Sequence, residues 1–136
     1  MNFLSSGDIL NKNQIANVSL QNLAFIGDAV HTLYVRTKLL KQNINVKSVH
    51  AKTTAFVNAG KQSQIVAKLV DLLSEEELNV YKRGRNYKST TSAKNAKITD
   101  YRNATGFEAL LGYLFLLGND DRLNELLKLS FELGQE

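Results

Sequence analysis

Residues 23–35 read LAFIGDAVHTLYV, and residues 107–117 read FEALLGYLFLL. Both runs are apolar at helical spacing. Each carries one carboxylate, Asp28 in the first and Glu108 in the second, and neither holds another acid or any Lys or Arg. An ionised carboxylate in apolar surroundings costs several kcal/mol or more unless something neutralises it. Two such groups, eighty positions apart in sequence, suggest a shared partner of positive charge. A divalent cation is the obvious candidate.

The chain around these runs also reads as helix. Ser19 is placed to cap a long helix to about Gln42, with Leu20, Leu23, Ile26, Val30, Leu33 and Tyr34 at core spacing. Upstream, Asp8 is placed to cap a short helix through Ile9 and Leu10. Residues 43–46 (NINV) form a turn. A second long helix is expected from Ser48 to Leu73, with Gly60 as a candidate interruption. Ser74 followed by Glu75, Glu76 and Glu77 is a cap with acids in the first turn, and starts a third helix through Val80 and Tyr81. Residues 84–98 are rich in Lys, Ser, Thr and Asn and read as a loop. A fourth helix is expected from about Asn103 to Leu117, ended by Gly118, and a fifth from 119–121 to Leu133. No alternating β pattern appears, and the absence of Pro suits uninterrupted helices. The expected fold is all-α, a helical bundle in one domain over residues 1–136.

Composition narrows the function classes. The chain has 136 residues, 43% of them hydrophobic, enough for one real core. It has no Cys, so it builds neither a disulfide framework nor a thiolate metal site. The two histidines, His31 and His50, are too few for a His-rich zinc site. The start, MNFLSSGDILNKNQ, lacks the basic and apolar regions of a signal peptide, and the longest apolar run, Ala109 to Leu117, is too short to span a bilayer. The expectation is a cytoplasmic protein with no membrane partner.

The formal net charge of +4 is unevenly placed. Between residues 82 and 102 stand Lys82, Arg83, Arg85, Lys88, Lys94, Lys97 and Arg102, with Asp100 the one acid, so the segment carries +6 and the remainder −2. A focused basic patch is the electrostatic footprint of a polyanion, nucleic acid above all. A solvated basic loop without a ligand is the plain alternative.

The acidic motifs resemble a known family. LAFIGDAV is similar to the ribonuclease III signature, in which a Gly-Asp-Ala step lies within an apolar helix. ATGFEALLGYLFL resembles that family's second motif, and RGRNYKS, AKNA and YRNATGFEALLGYL resemble a loop and helix of its short subfamily, Mini-ribonuclease III. The likeness covers roughly residues 15–135, with no double-stranded-RNA-binding domain following. Full-length members carry a Glu four residues before the motif Asp, where Ala24 stands here, and an Asp three residues before the motif Glu, where Thr105 stands. Mini-ribonuclease III enzymes lack the same two acids, so the departures fit the subfamily.

The resemblance implies a metal-dependent endoribonuclease that cuts double-stranded RNA and leaves 5′-phosphate and 3′-hydroxyl ends. It implies Asp28 and Glu108 as catalytic and metal-holding residues. Mg²⁺ is the expected ion, with Mn²⁺ as a substitute, since Mg²⁺ keeps several waters and needs few protein oxygens. It further implies a homodimer and, as substrate, precursor large-subunit (23S) ribosomal RNA. Duplex RNA is read by shape and backbone, which suits the seven cations named above. Part of the fourth helix (Leu110, Leu111, Leu114, Phe115, Leu117), or of the 23–35 helix, is expected to bury against the second subunit.

Plainer readings stand beside these. Glu108 follows Thr105 by three residues, a capping-box spacing. Asp28 is mid-helix, where its rival role is a buried hydrogen bond or a salt bridge to a distant Lys. Gly27 and Ala29 beside it favour close approach of a helix or a phosphate. His31 reads as a satisfied or exposed histidine before a ligand. Tyr34, Phe56, Tyr113 and Phe115 read as core. The runner-up function is a non-catalytic duplex-RNA-binding or ribosome-assembly module. A helical adaptor explains neither the acids nor the charge.

Overall fold

A computed structural model describes residues 10–42, 44–87 and 97–136. Its helices are α1 (Lys12–Ile15), α2 (Leu20–Leu40), α3 (Val46–Val57), α4 (Ala59–Leu69), α5 (Glu75–Asn86), α6 (Ile98–Leu117) and α7 (Asp120–Gly134), with a 3₁₀ turn at Val70–Leu72. Among the described residues there is no strand, so the fold is all-α as expected. None of these helices is long and apolar enough to cross a membrane.

α6 is the centre. It packs against α2, α4, α5 and α7. A helix apolar on every side must be enclosed, and Phe107, Ala109, Leu110, Leu111 and Leu114 are all buried within this one chain. The apolar surplus of α6 is therefore largely used internally. Phe115 and Leu117 are half-buried against the core. On α2, by contrast, Phe25 is 73% exposed and Leu33 38% exposed.

Two glycines set how closely α2 meets α6. A Cβ on Gly27 would lie 1.7 Å from the carbonyl oxygen of Glu108, and one on Gly112 would lie 1.9 Å from that of Leu23. The two backbones are thus in contact, and only hydrogen fits at either position. The contact partner of Gly27 is a helix, one of the two alternatives its sequence setting left open.

Several boundaries differ from the sequence expectation, each for a local reason. The second long helix is two helices, because Asn58 ends one and starts the next. Its Nδ2 donates to Thr54 and Ala55 carbonyls, while its Oδ1 accepts from the Lys61 amide. The break is at Asn58, not Gly60. α5 continues through Gly84 to Asn86. Gly84 does not cap this helix. A Cβ there would lie 2.9 Å from Gly106 Cα, so it is needed where α5 crosses α6. α6 begins at Ile98, five residues before the expected start. The caps at Ser19 and Ser74 are as expected, the latter a full capping box with Glu77. Gly118 ends α6 with φ 76°, a left-handed conformation that favours glycine. Arg122 ties α7 to α5 through Glu77 at 2.8 Å and also donates to the Leu72 carbonyl.

The aromatic residues read as core mostly are. Tyr113 is buried; Tyr34, Phe56 and Phe115 are half-buried against apolar clusters. Phe56 stacks on Phe131 with centroids 4.8 Å apart.

Candidate active site

Asp28 on α2 and Glu108 on α6 meet because the Gly27 and Gly112 contacts seat the two helices backbone to backbone. Glu108 lies about three turns into α6, so it does not cap the helix. Thr105 instead donates its hydroxyl to the Tyr101 carbonyl at 3.0 Å. On α2 the positions 21, 24, 25 and 28 form one helical stripe, and on α6 so do 101, 104, 105 and 108. The two stripes line a single cavity of about 430 Å³, completed by Val57, Ala59, Gln62, Tyr87 and Arg102.

Ala24 and Thr105, the positions that depart from the larger enzymes, therefore face the same cavity as the acids. Among the described residues no third His, Cys, Asp or Glu joins the pair. Nor is any Lys or Arg of the described residues ion-paired with Asp28 or Glu108. The salt-bridge reading of Asp28 is thus not realised there. Asp28 is exposed at the cavity, while Glu108 is half-buried. The cost of desolvating charge falls mainly on Glu108. Burial, then the hydrogen bond and negative charge of Asp28, push its pKa up to about 9, while Gln62 pulls the other way.

Two carboxyl groups share a cavity, and no cation among the described residues is paired with either. Both offer hard oxygen ligands, the donor type that Mg²⁺ and Mn²⁺ prefer. The residues present fit a divalent cation held between α2 and α6.

Behind the acids lies a polar pair that sequence reading did not find. His31 is fully buried and Gln62 is 2% exposed. Gln62 Nε2 stands 3.0 Å from His31 Nδ1, and His31 Nε2 has no hydrogen-bond partner among the described residues. Burial lowers the His31 pKa to about 4 against the opposing pull of Asp28, so the ring is neutral at pH 7. His31 is thus buried and only half satisfied.

The basic residues divide. Arg102 lines the cavity with the acids. Lys82, Arg83 and Arg85 belong to the last turns of α5, where cations suit the helix dipole, so Arg85 is helical and not part of the loop expected from residue 84. Helical geometry sends Arg83 to a separate concavity with Lys12, Glu76 and Tyr113. Arg85 lies over the Tyr81 ring, 5.6 Å from its centroid. Lys97 is the N-terminal cap residue of α6 and is exposed. Lys88 and Lys94, with Asp8 and Ile9, lie outside the described residues. Phe25, Tyr87 and Tyr101 also line the cavity and were not singled out in the sequence. Phe25 left one sign, being an aromatic residue off the core spacing of its helix.

Residues 21–119 match the Ribonuclease III domain family. The chain belongs to the ribonuclease III family. It falls in the Mini-ribonuclease III branch, as the acid pattern implies. It is 47% identical to the Mini-ribonuclease 3 of Thermoanaerobacter sp. (strain X514), over all of this chain (100%) and 96% of the relative. It is 46% identical to that of Clostridium tetani (strain Massachusetts / E88), over 96% of this chain and 87% of the relative. The fold is likewise that of a Fusobacterium nucleatum protein known from its crystal structure. The TM-score is 0.79 at 29% identity, covering 88% of this chain and 96% of that one. Ribonuclease III family membership brings divalent-metal chemistry in general, and the acid pair supplies ligands suited to it.

Proposed function

We propose that the chain is a Mg²⁺-dependent endoribonuclease that cuts double-stranded RNA, with Asp28 and Glu108 as the metal-holding and catalytic pair. The observation that carries this reading is the shared cavity. Two acids converge there from α2 and α6, among a chain whose basic residues cluster nearby in sequence. Residues 1–136 act as one catalytic domain in this reading. Mn²⁺ replaces Mg²⁺ at the same oxygens.

Each residue has a task that follows from its place. Asp28, exposed, and Glu108, half-buried, would hold the cation between α2 and α6. A divalent cation bound there supplies activation of water as nucleophile and stabilises charge on the leaving oxygen. Arg102, in the same cavity, offers a guanidinium to the phosphate backbone beside the acids. Lys82, Arg83, Arg85, Lys88, Lys94 and Lys97 bind the flanking phosphates of the duplex. Hydrolysis leaves a 5′-phosphate and a 3′-hydroxyl. The chemistry calls for no covalent intermediate on the protein.

Cutting both strands of a duplex needs two such sites of opposite polarity, which a two-fold dimer provides. Phe25, 73% exposed on α2 at the cavity rim, suits an isologous apolar contact in that homodimer. The substrate in this reading is precursor large-subunit ribosomal RNA in the cytoplasm. A duplex-RNA cleavage assay tests the activity. We expect cuts in Mg²⁺, none in EDTA, and 5′-phosphate ends. Duplex binding without cleavage in Mg²⁺ would instead support a non-catalytic RNA-binding module.

The basic residues give a separate test. Each phosphate contact contributes about one unit to the log–log salt slope of binding. Replacing Arg83, Arg85 and Lys88 together by Gln is expected to weaken duplex binding and lower that slope by about 3, one unit for each cation removed. Replacing Lys94 and Lys97 should act in the same direction. An unchanged slope in both variants would remove these residues from the RNA contact.

A further inference from the structure

Three helices meet behind the acid pair, and one side chain joins them. Gln62 on α4 is 2% exposed, and a buried amide needs partners. Its Nε2 is 3.0 Å from His31 Nδ1 on α2. Its side chain also lines the cavity with Glu108 on α6, where it acts to lower the Glu108 pKa. An amide nitrogen carries two protons, so one NH₂ group can serve both acceptors.

His31 is suited to hold that amide still. It is fully buried and packs edge-on against Phe107 at 5.2 Å, so its ring has little freedom to turn. Its other nitrogen, Nε2, finds no partner among the described residues. A wholly buried ring with one nitrogen unpaired is a cost to the fold, at a place where an apolar side chain would meet apolar neighbours. The cost is explained if the paired nitrogen has a use.

We propose that Gln62 is a positioning residue of the site: its amide holds the Glu108 carboxylate in place opposite Asp28, and His31 holds the amide. The proposal rests on the reading of Asp28 and Glu108 as cation ligands. With only two acids at the site among the described residues, the orientation of each matters more. An NH₂ group can steer a carboxylate without competing for the cation, because it donates and does not ligate. Outer partners of metal ligands often change affinity or activity by about 10- to 100-fold.

The test uses Mn²⁺ alone as probe, with no RNA, reading free Mn²⁺ by electron paramagnetic resonance. Gln62→Met keeps the length of the side chain and removes the donor. His31→Leu removes the acceptor behind it. We expect the Mn²⁺ Kd to rise about 10-fold or more in Gln62→Met, and by less in His31→Leu. The double variant should bind no more weakly than Gln62→Met, since both changes act through one amide. In cleavage, the Mg²⁺ concentration for half-maximal rate should rise while the rate at saturating Mg²⁺ stays within about threefold. A lower melting temperature with an unchanged Mn²⁺ Kd would overturn the proposal. If Gln62→Met does not fold, an unchanged Kd in His31→Leu overturns it equally. Asp28→Asn separates the two levels. If it binds Mn²⁺ as the wild type does, the acid-pair reading fails and the proposal with it. If it loses Mn²⁺ while Gln62→Met does not, only the proposal fails.

Discussion

Glu108→Gln is expected to abolish RNA cleavage and, in the same molecule, to stabilise the metal-free protein. The two effects share one cause. The Glu108 pKa is raised from 4.5 to about 9, first by burial and then by Asp28. A carboxyl whose pKa is higher in the folded state resists ionising there. The unfolded chain ionises near 4.5 and gains freely from doing so. Metal-free stability should therefore be greatest below about pH 4.5 for this group, and fall as pH rises towards about 9. Glutamine removes the charge and keeps the shape. Because Glu108 is partly exposed, a gain of about 2 kcal/mol at pH 8 is a reasonable scale, or roughly 5 °C in Tm. At pH 4 the gain should vanish. Thermal unfolding in EDTA at both pH values checks the sign. Activity should move the opposite way, by about 1,000-fold or more, because a ligand and its charge are lost from a site with only one other acid. A variant that is both inactive and less stable at pH 8 would mean that Glu108 supports the fold instead.

Gly112→Ala is expected to destabilise the protein strongly, although it adds a single methyl group. In an ordinary helix interior this change stabilises by about 0.5–1 kcal/mol. Here the new Cβ would lie 1.9 Å from the Leu23 carbonyl oxygen, with backbone and not a flexible side chain in the way. α2 and α6 must then separate. Overpacking of this kind costs about 1–3 kcal/mol and sometimes more, so the clash outweighs the helical gain. Gly27→Ala should behave alike, with its Cβ 1.7 Å from the Glu108 carbonyl oxygen. Any fraction that folds should also bind Mn²⁺ poorly, since the same contact brings Asp28 to Glu108. Denaturant unfolding beside a Gly60→Ala control is the measurement. The Gly60 control meets only the Asn58 side chain at 3.5 Å and should be nearly silent. Wild-type stability in Gly112→Ala would contradict the packing described.

Much of this was legible in the sequence because the relevant signals are local. Helical periodicity with Ser19 and Ser74 as caps gave the all-α class. Two acids isolated in apolar runs gave the pair that meets in the cavity. What the sequence hid depends on contacts between helices. Gly84 looks like a helix end in isolation, and only Gly106 opposite shows that it serves a crossing. Thr105 and Glu108 have the spacing of a cap, yet α6 had already begun at Ile98. The expectation that both acids sit in apolar surroundings held for Glu108 better than for Asp28, which is exposed. Gln62 carries no mark at all in AGKQSQIV. Its meaning arises from His31 and Glu108, which lie far from it along the chain.

The central claim is that Asp28 and Glu108 together hold the cation that cuts duplex RNA. Cleavage of a duplex by the wild type and by Asp28→Asn, side by side at saturating Mg²⁺, tests it most directly. Asparagine keeps the shape of Asp28 on an exposed helix face, so the fold should be unaffected. The expected result is rapid cleavage by the wild type and almost none by the variant, at equal folded concentration. An Asp28→Asn protein that cleaves at the wild-type rate would contradict it.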